Sequence, residues 1–472
     1  MRTLAAALIA LAALLPRSAA GQARECEVFH TGTGTQFREQ GMTFLGGGVR
    51  FVCPGGITIR SDSLAYIEIT GVAEFIGNVH YADTLKTLTA GYAQYIGRES
   101  RVSARDEVVL TDTRTGSTVD APFLDYFQES ETRPEAMVMI YSGRPRAVLI
   151  RMPTAQAEGE PIRPDTTIVF SDQMQIFGER LFVGRGNVEL TRGAMKGYGM
   201  EAALDQVADS LRLSGMARIV TEDYQLSADT ITGLLTASEE LRQVDARRQA
   251  KLESDELQAQ APWLRIHFED GVVHRMVAVG RHAAGDEAQP VAGTAAPAGP
   301  ASPDAGQATA VSANFRIVAD SIDALAPAQR LEKVVAVGAA FGERVTPDSL
   351  RASRPPAAAH DWMRGDTIIA TFTNPPPADT AQDAVLETIT AVGTTDQARS
   401  MYAMADENDP TGRLAFSYVL AHRIFVTLLE GEVAAVSAEG KDGQPVHGLY
   451  LQPSDSAAAP PPVRRAGGGA PR

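Results

Sequence analysis

Long apolar runs are almost missing from this 472-residue chain. After residue 15 none approaches the roughly 18 residues that a membrane helix requires, so no second membrane segment is expected. Positive charge is also short, with 43 Lys and Arg against 58 Asp and Glu and a net charge of −15. That balance argues against a basic surface of the kind that grips nucleic acid or anionic membranes. Tryptophan occurs only as Trp263 and Trp362, too few for the stacked sugar platforms of a polysaccharide-active surface. The patterns HExxH, C-x-x-C, GxSxG and the phosphate loop do not occur. His267, His274 and His282 are spread along strand signals instead of being grouped as metal ligands, and are read as surface or turn residues. Gly46-Gly47-Gly48 has no helix after it to complete a phosphate cradle, and is read as a flexible or bulged strand entry. No catalytic residue, metal ligand or cofactor is expected.

Helical periodicity is equally scarce. The stretch from Ala237 to Ala261 is ambiguous and is read mostly as charged strands. Elsewhere the period is two. Leu211 and Leu213 alternate with Ser210, Arg212 and Ser214, and Leu264, Ile266 and Phe268 with Arg265 and His267. Phe315, Ile317 and Ala319 follow the same rule, as do Ile424, Val426 and Leu428, which is the pattern of half-buried strands. Gly77-Asn78, Gly186-Asn187, Glu269-Asp270-Gly271 and Glu430-Gly431 read as the turns between strands.

What the chain has in quantity is a returning phrase: aspartate, a small or polar residue, then an aliphatic. It stands at Asp62-Ser63-Leu64, Asp209-Ser210-Leu211, Asp229-Thr230-Ile231, Asp255-Glu256-Leu257, Asp320-Ser321-Ile322 and Asp366-Thr367-Ile368. A second phrase closes β-branched runs on glycine, at Val277–Gly280, Val335–Gly338 and Thr390–Gly393. Repeats of this kind predict a stacked-rung β architecture. The aspartates fit turns and strand starts, where the carboxylate accepts from local N–H groups, and general acid–base work is not expected of them.

The N-terminus reads as an export signal: Arg2, then an apolar run from Leu4 to Leu15, then small residues at Ser18-Ala19-Ala20 and Gly21-Gln22-Ala23. A run of about 12 residues spans only ~18 Å as a helix, short of a bilayer core, so cleavage is expected over a retained anchor. Export would put Cys26 and Cys53 in an oxidising compartment, where a disulfide is the expectation and two partly buried thiols the alternative. From Ala283 to Ala313 the chain turns to Ala, Pro, Gly and Asp and reads as a flexible insertion. Shorter insertions are read at Pro153–Asp165, Pro347–His360 and Asn374–Gln382.

Ala73-Glu74-Phe75-Ile76-Gly77-Asn78-Val79-His80-Tyr81, followed by Leu88 to Tyr95, resembles the OstA-like (organic solvent tolerance) family of periplasmic lipopolysaccharide-transport proteins. A second copy stands at Phe182 to Leu190, and Ala228–Ile231 and Ala319–Ile322 match the phrase that family writes into successive rungs. The resemblance runs in patches from about residue 48 to 453, on a longer chain with more insertions than the shortest members. It implies an all-β, elongated, V-shaped open jelly roll (β-taco-like) whose apolar interior holds acyl chains while sugars stay outside. The partners it implies are lipopolysaccharide or a related glycolipid, and other transport proteins of the envelope joined by edge-strand pairing; a homo-oligomer is a further option. The location it implies is the periplasm, with outer-membrane association as an option.

The expected organisation is a signal peptide over 1–23, β repeats over 24–282 and 314–453 around the insertion at 283–313, and a disordered tail over 454–472. The residues expected to line a lipid groove are Val79, Tyr81, Val188, Leu190, Leu211, Leu213, Ile266, Phe268, Ile424 and Val426. Filling a closed core is the alternative for each of them. Two other functions compete with glycolipid carriage: a non-catalytic envelope scaffold, and a β-helical polysaccharide-active enzyme.

Overall fold

The computed structural model describes residues 26–30, 36–39, 41–151, 165–236, 241–254, 257–269, 272–280, 306–312, 315–327, 330–344, 359–373, 384–405, 414–429, 432–441, 443 and 445–451. The expected signal peptide, the insertions at 153–164, 347–358 and 374–382, most of 283–313 and the tail lie outside these residues. What is described is all-β, with antiparallel pairing throughout and one short 3₁₀ turn at Gly97–Glu99.

The chain divides into two compact units, Met1–Gly116 and Ser117–Arg472. Strands on either side of the insertion at 283–313 pair with each other inside the second unit. The first unit holds β1 (Glu27–His30), β2 (Gln36–Glu39), β3 (Met42–Cys53), β4 (Ile57–Ile67), β5 (Val72–Ala82), β6 (Lys86–Ile96) and β7 (Arg101–Asp112). The second opens with β8 (Thr118–Phe127), β9 (Met137–Ile140), β10 (Arg146–Arg151), β11 (Asp165–Phe170), β12 (Gln173–Phe177) and β13 (Leu181–Arg192). It continues with β14 (Met195–Asp205), β15 (Ser210–Val220), β16 (Tyr224–Leu235), β17 (Leu241–Ser254), β18 (Gln258–Glu269) and β19 (Val272–Val279). Then come β20 (Ala308–Val311), β21 (Phe315–Ala319), β22 (Ser321–Leu325), β23 (Lys333–Arg344), β24 (Trp362–Thr373) and β25 (Val385–Val392). The last are β26 (Ala398–Ala405), β27 (Leu414–Ala421), β28 (Arg423–Leu429), β29 (Glu432–Glu439) and β30 (His447–Leu451).

Each long strand has a corner at its middle. Along β5, Ile76 and Val79 face Tyr92 and Ala90 of β6, so β5 carries one extra residue there. The same slip recurs on alternate strands: β3 at Gly47-Gly48, β7 at Asp106-Glu107, β13 at Gly186-Asn187, β15 at Gly215-Met216, β17 at Arg248-Gln249 and β23 at Gly338-Ala339. Both residues of every pair sit at positive φ, as in Gly77 at 76° and Asn78 at 45°. An extra residue in the left-handed region is what a bulge needs to bend a strand without ending it. Gly77-Asn78 and Gly186-Asn187 are therefore corners inside β5 and β13, where turns between strands were expected. The glycine triplet likewise bulges the middle of β3, and is no strand entry.

Elsewhere a rung is split at the same corner into two short strands. β11 and β12 both pair with β13, either side of Ser171-Asp172. β21 and β22 both pair with β23, either side of Asp320. β19 and β20 both pair with β18, so the insertion leaves the sheet between them. The insertion is also shorter than expected at its far end. Ala308–Val311 is strand, with Ala308 and Ala310 buried, and the Gln307 amide donates to Asp320 Oδ1 at 3.2 Å. Small residues without bulky apolar neighbours read as linker, but alanine is the residue that fits where two layers approach closely.

The expected charged strands around Ala237–Ala261 are β17 and β18. In the split rung β21, Val318 is buried together with Ile317 and Ala319, so the alternation expected there fails next to the corner.

Two predictions come from this geometry. Gly77→Ala places a Cβ at positive φ and 2.5 Å from Asp62 Oδ2, and should lower unfolding free energy by roughly 2 kcal/mol or more. Met216→Asn relieves an exposed side chain of left-handed strain, and should raise it by a few tenths to about 1 kcal/mol. Denaturant titration of both variants measures the pair. Deleting 285–303 should leave the melting temperature within about 2 °C, whereas extending the deletion through Val311 removes β20 and should lower it by more than ~5 °C.

Candidate functional site

Asp62, Asp229, Asp320 and Asp366 of the repeated phrase stand at corners, as does Asp172, whereas Asp209 stands at the start of β15 as expected and Asp255 lies outside the described residues. Asn78 Nδ2 donates to Asp62 Oδ2 at 2.8 Å, and Asn187 Nδ2 donates to Asp172 Oδ2 at 2.8 Å. The Asp172 N–H donates to the Gly186 carbonyl, and the Asp320 N–H to the Gly338 carbonyl. Asp366 accepts from the Thr394 hydroxyl and from the N–H groups of Thr394 and Thr395, each at 2.6 Å. The Thr394 hydroxyl and the Thr395 N–H lead in holding its carboxyl below the usual range, against a smaller desolvation effect. These aspartates brace a bend from the neighbouring strand. Asp62 and Asp366 lie inside β4 and β24, not at the strand starts expected for them. Two parallel offsets, Asp62 to Gly77-Asn78 and Asp172 to Gly186-Asn187, were the sequence signal for the pairing.

Inside the corner lies the apolar face. In the first unit Phe51, beyond the corner of β3, meets Phe75, before the corner of β5, edge-on at 5.3 Å between ring centres, and Tyr95 at 5.9 Å. In the second unit Leu213 Cδ1 lies 3.1 Å from where a Cβ on Gly197 would stand, with Leu190 beside it. Leu213 and Gly197 belong to opposite halves of their strands. In both units, then, side chains of one half meet the other half across the bend at these positions.

Val79, Tyr81, Val188, Leu190, Leu211, Leu213, Ile266, Ile424 and Val426 are all buried on this inner face. Phe268 is half-buried, its ring 6.3 Å from that of Tyr224, whose phenol burial and the nearby Asp223 push up to about 12. Tyr81 extends its hydroxyl to Asp83 Oδ2 at 2.6 Å at the strand end. Within each unit they lie on the buried side of the bent strands. A small depression opens beside it, lined by Met139, Ile140, Tyr141, Met174 and Val183 with Arg185 at its rim.

On the outer face of β17 and β18, Asp245 accepts from Trp263 Nε1 and Arg265 Nε, each at 2.9 Å, and from Gln243 at 2.6 Å. Desolvation raises its pKa, but the three donors together outweigh it and hold the carboxyl low. Arg265 and Arg247 both lie over the Trp263 ring, so that ring is engaged with cations. His267, half-buried between Arg265 and Arg275, is held below its usual value by desolvation first and those two cations second. His274 Nδ1 is 3.0 Å from Glu269, and His282 lies outside the described residues. Among the described residues no group of three or more His, Cys, Asp or Glu side chains is placed to hold a metal. Cys26 and Cys53 are joined in a disulfide. No protein-family model matches the chain, and no curated protein is similar to it.

At the end of the first unit, Asp112 is buried against Lys86 and accepts from the Arg114 and Thr115 N–H groups. Desolvation raises its pKa, and the Lys86, Thr115 and Arg114 donors together overcome that and lower it. A carboxyl held low in the folded state stabilises above the unfolded value of about 3.9. That stability is lost as pH falls through the folded value. Wild-type unfolding free energy should therefore drop as the pH is lowered from about 4, and Asp112→Asn should be less stable at pH 7 with a flatter acid limb. Urea titrations at pH 7, 4 and 3 measure both; parallel acid limbs would show that another group governs.

Proposed function

We propose that this protein carries a lipopolysaccharide-type glycolipid across an aqueous envelope compartment, its acyl chains enclosed between the two halves of the bent strands. The observation that carries the reading is the continuous apolar inner face that the corners create within each unit. The residues of the OstA-like resemblance, Val79 and Tyr81 with Val188 and Leu190, lie on it. A multi-acylated lipid cannot cross water unescorted, since each exposed CH₂ costs about 0.8 kcal/mol. Walls made of strands offer apolar side chains at alternate positions along their whole length. Loading then requires the halves to part, an open V-shaped jelly roll being the loaded form. Transfer to other envelope proteins would use the unpaired edges of the terminal strands, by strand addition. Export to the periplasm belongs to this reading.

The filled interior favours one alternative, a non-catalytic envelope scaffold in which the same residues are core and nothing more. The two readings separate in one experiment. Protein purified from its membrane-rich source is examined by native mass spectrometry for acylated lipid, and a photo-crosslinking residue at Leu213 or Val79 is tested against labelled glycolipid. A carrier yields a stoichiometric lipid adduct and inner-face labelling. Leu213→Asp should then abolish the adduct, and because an unpaired buried charge costs several kcal/mol it should also reduce stability by roughly that amount. Absence of both adduct and labelling would leave the scaffold.

A further inference from the structure

On the outer faces of the strands, arginines are matched across the ladder by carboxylates. Arg185 faces Glu201, Arg316 faces Glu343 and Arg423 faces Glu439 as direct partners on neighbouring strands. All three are ion-paired, at 3.1, 3.0 and 3.6 Å. Two places break this rule. In the first unit Arg50 of β3 faces Arg60 of β4, and in the second Arg364 of β24 faces Arg399 of β26. All four are exposed, and among the described residues none of their guanidinium groups has an ion pair or a hydrogen bond. Like charges directly opposite each other weaken a ladder. The chain holds 58 acidic against 43 basic residues, yet no carboxylate pairs with either couple.

Both couples have the same third member. Phe29 of β1 faces Arg50, and Phe341 of β23 faces Arg364, so each unit presents Phe–Arg–Arg across three adjacent strands. Arg50 sits between the buried Val49 and Phe51, and Arg399 between the buried Ala398 and Ser400, so strand alternation turns both triads outward. Phe29 is 47% exposed. Around Phe341 the ring surface widens. Trp362 lies 6.4 Å from it between ring centres, tilted by 31°, and Tyr418 on β27 lies 6.4 Å from Trp362. These three rings are half-buried.

A guanidinium fork holds a phosphate or carboxylate through two parallel N–H groups. Two forks on facing residues, whose Cβ atoms stand about 5 Å apart in such pairs, can converge on one anion. A bare anion gains nothing from the phenylalanine beside them. A sugar does, because its C–H groups pack against the negative face of an aromatic ring.

We propose that the Phe29–Arg50–Arg60 and Phe341–Arg364–Arg399 triads are two outer-face sites for a saccharide bearing phosphate or carboxylate. The anion lies between the arginines and the sugar ring on the phenylalanine, with Trp362 and Tyr418 extending the second site. Such groups occur on the sugars of a glycolipid and on free acidic polysaccharide. Both triads face away from the apolar interior, so neither needs an acyl chain inside the bend.

The test is isothermal titration of the full chain at low salt, where exposed charges are least screened. The probes are oligogalacturonate, the phosphorylated oligosaccharide released from lipopolysaccharide by mild acid, and a glutamate oligopeptide of matched charge. The saccharides should occupy two sites per chain, and the peptide should bind roughly tenfold more weakly for want of the ring contact. Arg364→Gln/Arg399→Gln should remove one site and Arg50→Gln/Arg60→Gln the other. Stability of both double variants should be unchanged or higher, since like-charge repulsion is relieved. In Trp263→Phe, which leaves Trp362 as the only tryptophan, filling the second site should change the emission. Binding of oligogalacturonate alone assigns free acidic polysaccharide and binding of the phosphorylated oligosaccharide alone assigns glycolipid sugar; either upholds the sites. Equal binding of the peptide, or of inorganic phosphate at the same concentration, overturns the saccharide. Undiminished binding after a double substitution overturns that triad, as does a loss of stability, which would make its arginines structural. Failure to find acylated lipid in the interior alters none of these readouts.

Discussion

Everything in this fold depends on a corner that bends a strand without ending it. A strand that simply ran on would keep one face wet, and its apolar alternates would need a separate layer to cover them. The one-residue bulge, repeated on alternate strands, lets each strand supply both layers. The neighbouring strand turns the same corner without the extra residue, and the Asp62–Asn78 and Asp172–Asn187 hydrogen bonds tie the two together on the outer side. Left-handed backbone is costly for side chains other than glycine and asparagine. Yet Asp106-Glu107, Arg248-Gln249 and Ala339 adopt it, which shows that the bend is imposed by the stack as much as by local preference.

The interior changes along the chain in a way that follows from this. The first unit fills its corner with rings and leucines, among them Phe51, Phe75, Tyr95 and Leu64. From β20 onward alanine makes up half of the buried apolar positions, as at Ala308, Ala336, Ala370, Ala391 and Ala421. Smaller side chains let the two layers come closer, and close layers leave little tolerance for polar atoms without partners. Ser400 is fully buried without a hydrogen-bond partner.

Period-two alternation made the strands legible: Leu211 and Leu213, or Leu264 and Ile266, are buried where that period puts them. The corners were not, because a left-handed Gly-Asn pair is equally the chemistry of a hairpin turn and of a mid-strand bulge. Nothing local distinguishes a chain that reverses from one that bends and continues. Only the facing aspartate does, and it lies on another strand. For the same reason Asp62 read as a strand start. β20 escaped because Ala308-Thr309-Ala310-Val311 has the composition of the linker before it, and its burial is decided by β18 and β21.

The same corner governs what the interior could do. The bracing hydrogen bonds lie outside the bend, and the ladder bonds run between neighbouring strands, so parting the two halves breaks neither. What parting does break is apolar contact, such as Phe51 against Phe75 or Leu213 over Gly197. Acyl chains entering that space replace one apolar contact with another, and the exchange is near balance so long as about as much apolar area is covered afterwards as before. On the proposed function, a closed interior and a lipid-filled one would be two states of the same walls.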